Sequence, residues 1–285
     1  MSSLGIPVGV HAEDRAIVQN LTRRAHDDHE DSPAAYAASR PPQAEVAAVA
    51  TCIEACRATG ARVHIVHLAS GDALDLISAA RAEELPVSAE TCPQYLEFTI
   101  EDFERLGSIL KTAPVVKAAS DRDRLWKGLA NGDLSFVATD HAAGQWPEEK
   151  QTASVWSDYG GVPGVELMLP YLFSEGVRGR RISLERLAQV TASEPSRFLG
   201  IDHRKGQLRA GYDADFLVFD ERRRWTVRAE DLHNLNRYTP LEGRELTGCV
   251  RSTFVRANKV FDRAADGSVE FGEPGLGQWV RRGVA

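Results

Sequence analysis

Three polar residues stand directly after apolar runs that read as β-strands. They are His11 in Val10-His11-Ala12-Glu13-Asp14, His67 in Ile65-Val66-His67-Leu68-Ala69-Ser70, and Asp140 in Ala138-Thr139-Asp140-His141. Neutral imidazoles and a carboxylate together suit a borderline divalent metal such as zinc. If the strands are parallel, their carboxyl ends form one edge, where loops and helix N-termini converge and ligands bind. Each residue also has a plainer role open to it: hydrogen-bonded structural histidine, or aspartate as a helix N-cap. Their recurrence at three strand ends favours the ligand role. His64 precedes His67 by three residues, and the pleat points it elsewhere, so it reads as structural. His26 and His29 fall in the charged run His26-Asp27-Asp28-His29-Glu30-Asp31, where solvation is the expectation.

The elements that must hold these groups alternate. Strands are predicted over Ile6–Val10, Arg62–Leu68, Val87–Thr91 and Leu134–Thr139. Between them lie an alanine-rich helix from Gln43 to Thr59 closed by Gly60, and a helix capped by Ser70 that runs to about Glu84. A third helix is capped by Ser120 and ended by Asn131-Gly132; a last one spans Ser183 to Phe198. Such alternation predicts right-handed βαβ units and a parallel sheet. The segment from His26 to Pro42 reads as a polar loop. After Gly200 the texture turns to short strands, turns and arginines, with Ala214–Phe219 and Ser252–Arg256 the clearest extended runs.

Composition narrows the function classes. The 285 residues carry 34 Lys and Arg against 41 Asp and Glu, a net charge of −7, with 43% hydrophobic and 26% charged residues. That is the balance of a folded globular chain with a sizeable core. Without a basic cluster it is a poor partner for nucleic acid, and no apolar run is long enough to span a bilayer. The amino-terminal residues have neither a basic nor an apolar signal region. Four cysteines, Cys52, Cys56, Cys92 and Cys249, contain no CxxC pair and suggest reduced thiols in the cytoplasm. No P-loop, G-x-G-x-x-G or G-x-S-x-G motif occurs, which disfavours nucleotide binding and a serine hydrolase of that design.

The succession V-H-A-E-D (10–14), R-P-P-Q-A-E (40–45), V-H-L-A-S (66–70), A-E-T-C-P-Q-Y-L (89–96), A-T-D-H-A (138–142), G-G-V-P-G-V-E (160–166) and K-G-Q-L-R-A-G-Y-D-A-D (205–215) resembles the cyclic amidohydrolases. These are the hydantoinases, dihydropyrimidinases, allantoinases and dihydroorotases. The resemblance implies an α/β fold: strands 5–8 of a metal-dependent (β/α)8 barrel over residues 1–202, then a small β-sandwich segment over 203–285. It implies a hydrolase that opens a small cyclic amide or ureide at a C–N bond. It makes His11 and His67 metal ligands and Asp140 both ligand and proton shuttle, with a divalent metal, zinc by preference, as cofactor. Ala113 and Pro163 fall where the family holds the substrate ring through backbone groups.

The departures carry information too. The family opens with a His-x-His pair and a bridging carboxylated lysine; no His-x-His occurs in this sequence. The resemblance therefore implies that roughly the first four β/α units of the barrel are absent from these residues, that at most one ion is held, weakly, and that the chain pairs with itself or with a missing amino-terminal half. Gly144 replaces the histidine that dihydroorotases place four positions beyond the aspartate, Gln94 is typical of hydantoinases, and Gly160–Glu166 leans toward allantoinases. The competing expectation is a truncated, non-catalytic structural or interaction protein descended from such an enzyme.

Overall fold

The computed structural model describes residues 5–283. Contacts divide the chain into two compact units: Met1–Met168 with Arg228–Glu242, and Leu169–Val227 with Gly243–Ala285.

In the first unit, β1 (Val8–Val10), β2 (Val63–Ile65), β3 (Val87–Thr91) and β4 (Phe136–Val137) form a parallel sheet in chain order, with β1 and β4 at its edges. The third predicted strand has the expected bounds, and the other three are present but shorter, because the ladder stops where the backbone turns toward the loops. The register Val8↔Val63 and Val63↔Val87 aligns the carboxyl ends. Along β3 the residues Val87, Ala89 and Thr91 are buried, while Ser88 and Glu90 lie on the opposite, half-buried face.

Helices cover the sheet in the order α1 (Arg15–Asp27), α2 (Pro33–Ala38), α3 (Pro42–Thr59), α4 (Gly71–Ala82), α5 (Pro93–Glu97), α6 (Ile100–Leu106) and α7 (Ala119–Asn131). Pro42 opens α3 at its first turn, and Gly60 ends it in the left-handed conformation, φ +67°. Its buried face, Val49, Ile53 and Cys56, packs on α4, whose N-terminus is capped by the Ser70 hydroxyl accepting from Ala73 N at 3.3 Å. Two expectations are corrected. The stretch from His26 to Pro42 contains α2, which Ser32 caps and Pro33 initiates, and α1 runs to Asp27. Helix α7 starts one residue before Ser120, and its N-cap Ala118 contributes no side-chain bond.

The second unit contains a helical stretch, Leu169 to Leu199, with two π-helical segments, Leu172–Arg178 and Gln189–Ser193. Its sheet is antiparallel, β5 (Phe216–Thr226), β6 (Glu245–Val255), β7 (Asn258–Arg263) and β8 (Val269–Phe271), each paired with the next. Phe173 packs on Phe219 at 4.8 Å between ring centroids. The change of texture near residue 203 therefore falls inside this unit, since the preceding helices group with the later sheet. Among the described residues no helix is long and apolar enough to cross a membrane.

Candidate active site

The carboxyl ends of β1 and β2 deliver His11 and His67 side by side. His11 Nδ1 lies 3.0 Å from His67 Nε2, and the rings meet edge to face. His67 is buried and His11 exposed. Burial pushes the His67 imidazole below its usual value, His11 adds to this, and Asp140 opposes it, so the Asp140 carboxylate is within electrostatic reach. His67 and Asp140 both take left-handed backbone conformations, φ +42° and +46°. Non-glycine residues adopt these at a cost, and such strain gathers at functional sites.

His11 Nε2 sits 3.0 Å from Glu13 Oε2, which also accepts from Arg40 Nη1 at 2.9 Å. Burial pushes the Glu13 carboxyl up, but His11 and Arg40 outweigh it and leave the group below its ordinary value. Deeper still, Lys117 Nζ donates to the Arg40 carbonyl at 2.7 Å and pairs with Glu45 at 3.4 Å; Glu45 Oε1 accepts from Ala69 N at 3.0 Å. None of these four charged residues was singled out from the sequence, although Glu13, Arg40 and Glu45 lie within the motifs at 10–14 and 40–45. The available signal was a Glu and an Arg held next to apolar runs with no obvious partner nearby.

Beyond β4, the loop that follows Asp140 is held by buried cations. Lys150 Nζ donates to the carbonyls of Tyr159 at 3.1 Å and Gly161 at 2.6 Å. Burial and the charge of Lys111 bring its amine down to about 7. His141 Nδ1 accepts from Gly164 N at 3.1 Å, which fixes the turn beside Pro163. The segment 228–242 is stitched to this loop: Asn236 Nδ2 donates to the Ala143 carbonyl, and Glu166 accepts from His233 N.

The remaining singled-out residues are placed as follows. Pro163 lines a cleft of about 20 Å³ with Pro93, Gln94 and Leu241, room for a single water. Ala113 is half-buried after Thr112, whose carbonyl accepts from the Tyr36 hydroxyl. His64 is buried between Ser88 (2.8 Å) and Glu90 (3.2 Å) and stacks on Phe136. His26 is exposed but packs against Trp156.

Two ring nitrogens 3.0 Å apart at a strand edge, with a carboxylate within electrostatic reach, form a donor pair that fits a borderline divalent ion. Among the described residues no group of three or more His, Cys, Asp or Glu is arranged to hold one.

A parallel α/β sheet gathers imidazoles and a carboxylate at its carboxyl edge, the edge at which such sheets bind ligands. The sequence matches the profile of the amidohydrolase family over residues 2–272, and the chain belongs to that family, within its cyclic-amidohydrolase branch. It is 37% identical to an allantoinase of Rubrobacter xylanophilus over 91% of its own length and 57% of that protein's. The L-hydantoinase (dihydropyrimidinase) structure from Arthrobacter aurescens superposes with a TM-score of 0.88 at 35% identity, covering 94% of this chain and 59% of that one. The D-hydantoinase (dihydropyrimidinase) structure from Thermus sp. gives 0.93 at 28% identity, covering 99% and 61%. The chain thus spans about three-fifths of the length of the relatives it matches.

Proposed function

We propose that this chain contributes the second half of a (β/α)8 barrel, strands 5–8 over residues 1–202, and a small β-sandwich segment over 203–285, to a hydrolase of cyclic amide C–N bonds. The division is one of descent rather than of compactness. Hydantoin-like and allantoin-like rings rank first as substrates, dihydroorotate-like rings next. The observation that carries the reading is the approach of His11 Nδ1 to His67 Nε2 beside Asp140, within a chain of this family.

In this reading His11 and His67 hold one divalent, zinc-like ion, with Asp140 as a further donor. When bound, such an ion lowers the pKa of water and polarises a carbonyl. Asp140, exposed at the strand edge, accepts the proton of the attacking water and returns it to the ring nitrogen as the C–N bond breaks. The exposed face of His11 leaves the edge open to a small ring. Backbone groups at Ala113 and Pro163 orient that ring; the His141–Gly164 bond keeps the second of these in place. The edge strands β1 and β4 support self-association or completion by further barrel strands. A cytoplasmic location accords with the four free cysteines.

The test is hydrolysis of hydantoin, dihydrouracil, allantoin and dihydroorotate by the zinc-supplied protein, alone and joined to the amino-terminal part of the Rubrobacter allantoinase. The chain alone is expected near background, and the joined form to turn over at least one ring. Asp140→Asn should then lower turnover by about 100-fold or more without unfolding the protein. A joined form that is folded, zinc-loaded and inert on all four rings favours the second reading, a non-catalytic relative. The lack of a three-donor group among the described residues is the observation behind that alternative.

A further inference from the structure

In the second unit, two β-bulges flank the Asp220↔Cys249 pair of β5 and β6, and each delivers an arginine. On one side Val218↔Ser252 is followed by Phe219↔Val250, which makes Arg251 an extra residue on β6. On the other, Glu221, Arg222 and Arg223 of β5 stand against Gly248 alone before Arg224↔Thr247. Asp220 Oδ1 shapes that bulge by accepting from Arg222 N at 3.0 Å and Arg223 N at 3.3 Å. Bulges of this kind re-aim side chains. Arg223 Nη2 reaches the β7–β8 turn, where a Cβ on Gly267 would meet it at 3.2 Å. Arg263, next to the Ser252↔Asp262 pair, supplies a third guanidinium, 5.5 Å over the Phe261 ring.

The three charges lie within electrostatic reach of one sheet position. Burial, helped by Asp220, pushes the Cys249 thiol up, and Arg223, Arg263 and Arg251 all oppose it. The three arginines are half-buried, and like charges gathered on a sheet destabilise one another. The Nε atoms of Arg251 and Arg263 are buried and have no hydrogen-bond partner among the described residues. Such unmet donors are costly. The acids at hand are committed elsewhere. Asp220 holds the bulge, and Asp262 accepts from the Ser252 hydroxyl and pairs with Lys259 at 3.2 Å. Asp266, exposed in the turn, accepts from the Ser268 hydroxyl. Three guanidinium groups against the Asp220 carboxylate leave two positive charges.

We propose that Arg223, Arg251 and Arg263 form a binding site for a phosphate-type dianion, either the free ion or a phosphate monoester. Guanidinium forks match the oxygens of such a group in pairs. Its charge, about −1.5 to −2 near pH 7, balances the cluster, where a single carboxylate would leave it positive. The site lies wholly within the second unit and stands whether or not the chain opens cyclic amides.

The test uses the full chain without metal. Isothermal titration with inorganic phosphate should show one saturable site with a Kd of about 1 mM or tighter, weakened by added sodium chloride. Arg251→Met with Arg263→Met should raise that Kd by about tenfold or more, as expected for lost charge-assisted hydrogen bonds. Arg224→Met, an exposed arginine paired with Glu245, should stay within about twofold of wild type. If the double variant does not fold, arginine Nε–H correlation spectra of the wild type decide the matter. Phosphate should shift the Arg251 and Arg263 signals and leave that of Arg224 in place. Titration with glycerol 3-phosphate separates the two sources: tighter binding assigns a phosphate monoester, equal or weaker binding the free ion. The proposal is overturned if neither phosphate saturates, if acetate binds as tightly, if the double variant keeps the wild-type Kd, or if the Arg251 and Arg263 signals do not move.

Discussion

The parallel sheet of the first unit and the antiparallel sheet of the second bury different chemistry. Glu45, Lys111, Lys117, Asp121, Lys150, Asp158 and two histidines are buried in the first unit, whereas Ser196 is the one buried polar side chain among the described residues of the second. The second unit is built on Phe173, Leu172, Val190 and Leu246; the Arg224–Glu245 pair lies at its surface and the Lys205–Asp213 pair is half-buried. Burying a charge costs several kcal/mol unless it is paired and hydrogen-bonded. The first unit accepts this repeatedly, in paired and hydrogen-bonded groups that fix the backbone behind the histidine pair and the loop after Asp140.

Four substitutions or conditions press on this contrast. Phe173→Ala should lower the unfolding free energy by about 3–5 kcal/mol through cavity formation, while zinc affinity of the folded fraction stays at the wild-type value. Loss of zinc binding in parallel with stability would show that the two regions do not differ as described. Lys117→Met leaves Glu45 and the Arg40 carbonyl without their cation and should cost about 3 kcal/mol in urea denaturation; here zinc affinity should fall as well. A purely structural role for Lys117 would be seen as lost stability with zinc uptake intact.

Per pH unit, the response to pH is smaller. Lys150 titrates near 7 when folded and near ~10.4 when unfolded. Between those values the unfolded chain holds the additional proton, so stability rises with pH, by at most about 1.4 kcal/mol per unit, and this contribution is flat below about 7. Asp158 and Lys111 face the amine and share in its balance. Lys150→Met should flatten the profile; a slope that survives the substitution assigns the effect to another group. The smallest change is expected at Arg224→Ala, whose 3.9 Å pair with Glu245 is exposed: within about 0.5 kcal/mol of wild type by the same denaturation measurement. A larger loss would mean that surface pairs carry the antiparallel sheet.

The strand ends were legible because an apolar run followed by a histidine or aspartate is a local signal. So were the helix stops at Gly60, Gly132 and Gly200, each of which has a positive φ. Helix α2 was missed because its six residues, Pro33–Ala38, are too few for a period to show, although Ser32-Pro33 is an initiation signal. The π-helical segments around Phe173 and Val190 give no pattern distinct from an α-helix. The buried contacts behind His11 were hidden for another reason. Apart from His11–Glu13, they join residues 24 to 77 positions apart, and a charged residue in a sequence does not announce that it will be buried. The grouping of 228–242 with the first unit depends on bonds such as Asn236 to Ala143, equally remote in sequence.

Because β1 through β4 lie in space in the order in which they are synthesised, each strand emerging from the ribosome finds its neighbour already made. The arcs Ala69–Glu45 and Arg40–Glu13 span 24 and 27 residues and close early; the bond from Lys117 to the Arg40 carbonyl spans 77 and closes late. Both histidines thus precede, in chain order, the lysine that completes their surroundings. Without Lys117, Glu45 would have only the Ala69 N–H to offset its charge, so a lysine far along the chain is what allows that carboxylate to be buried.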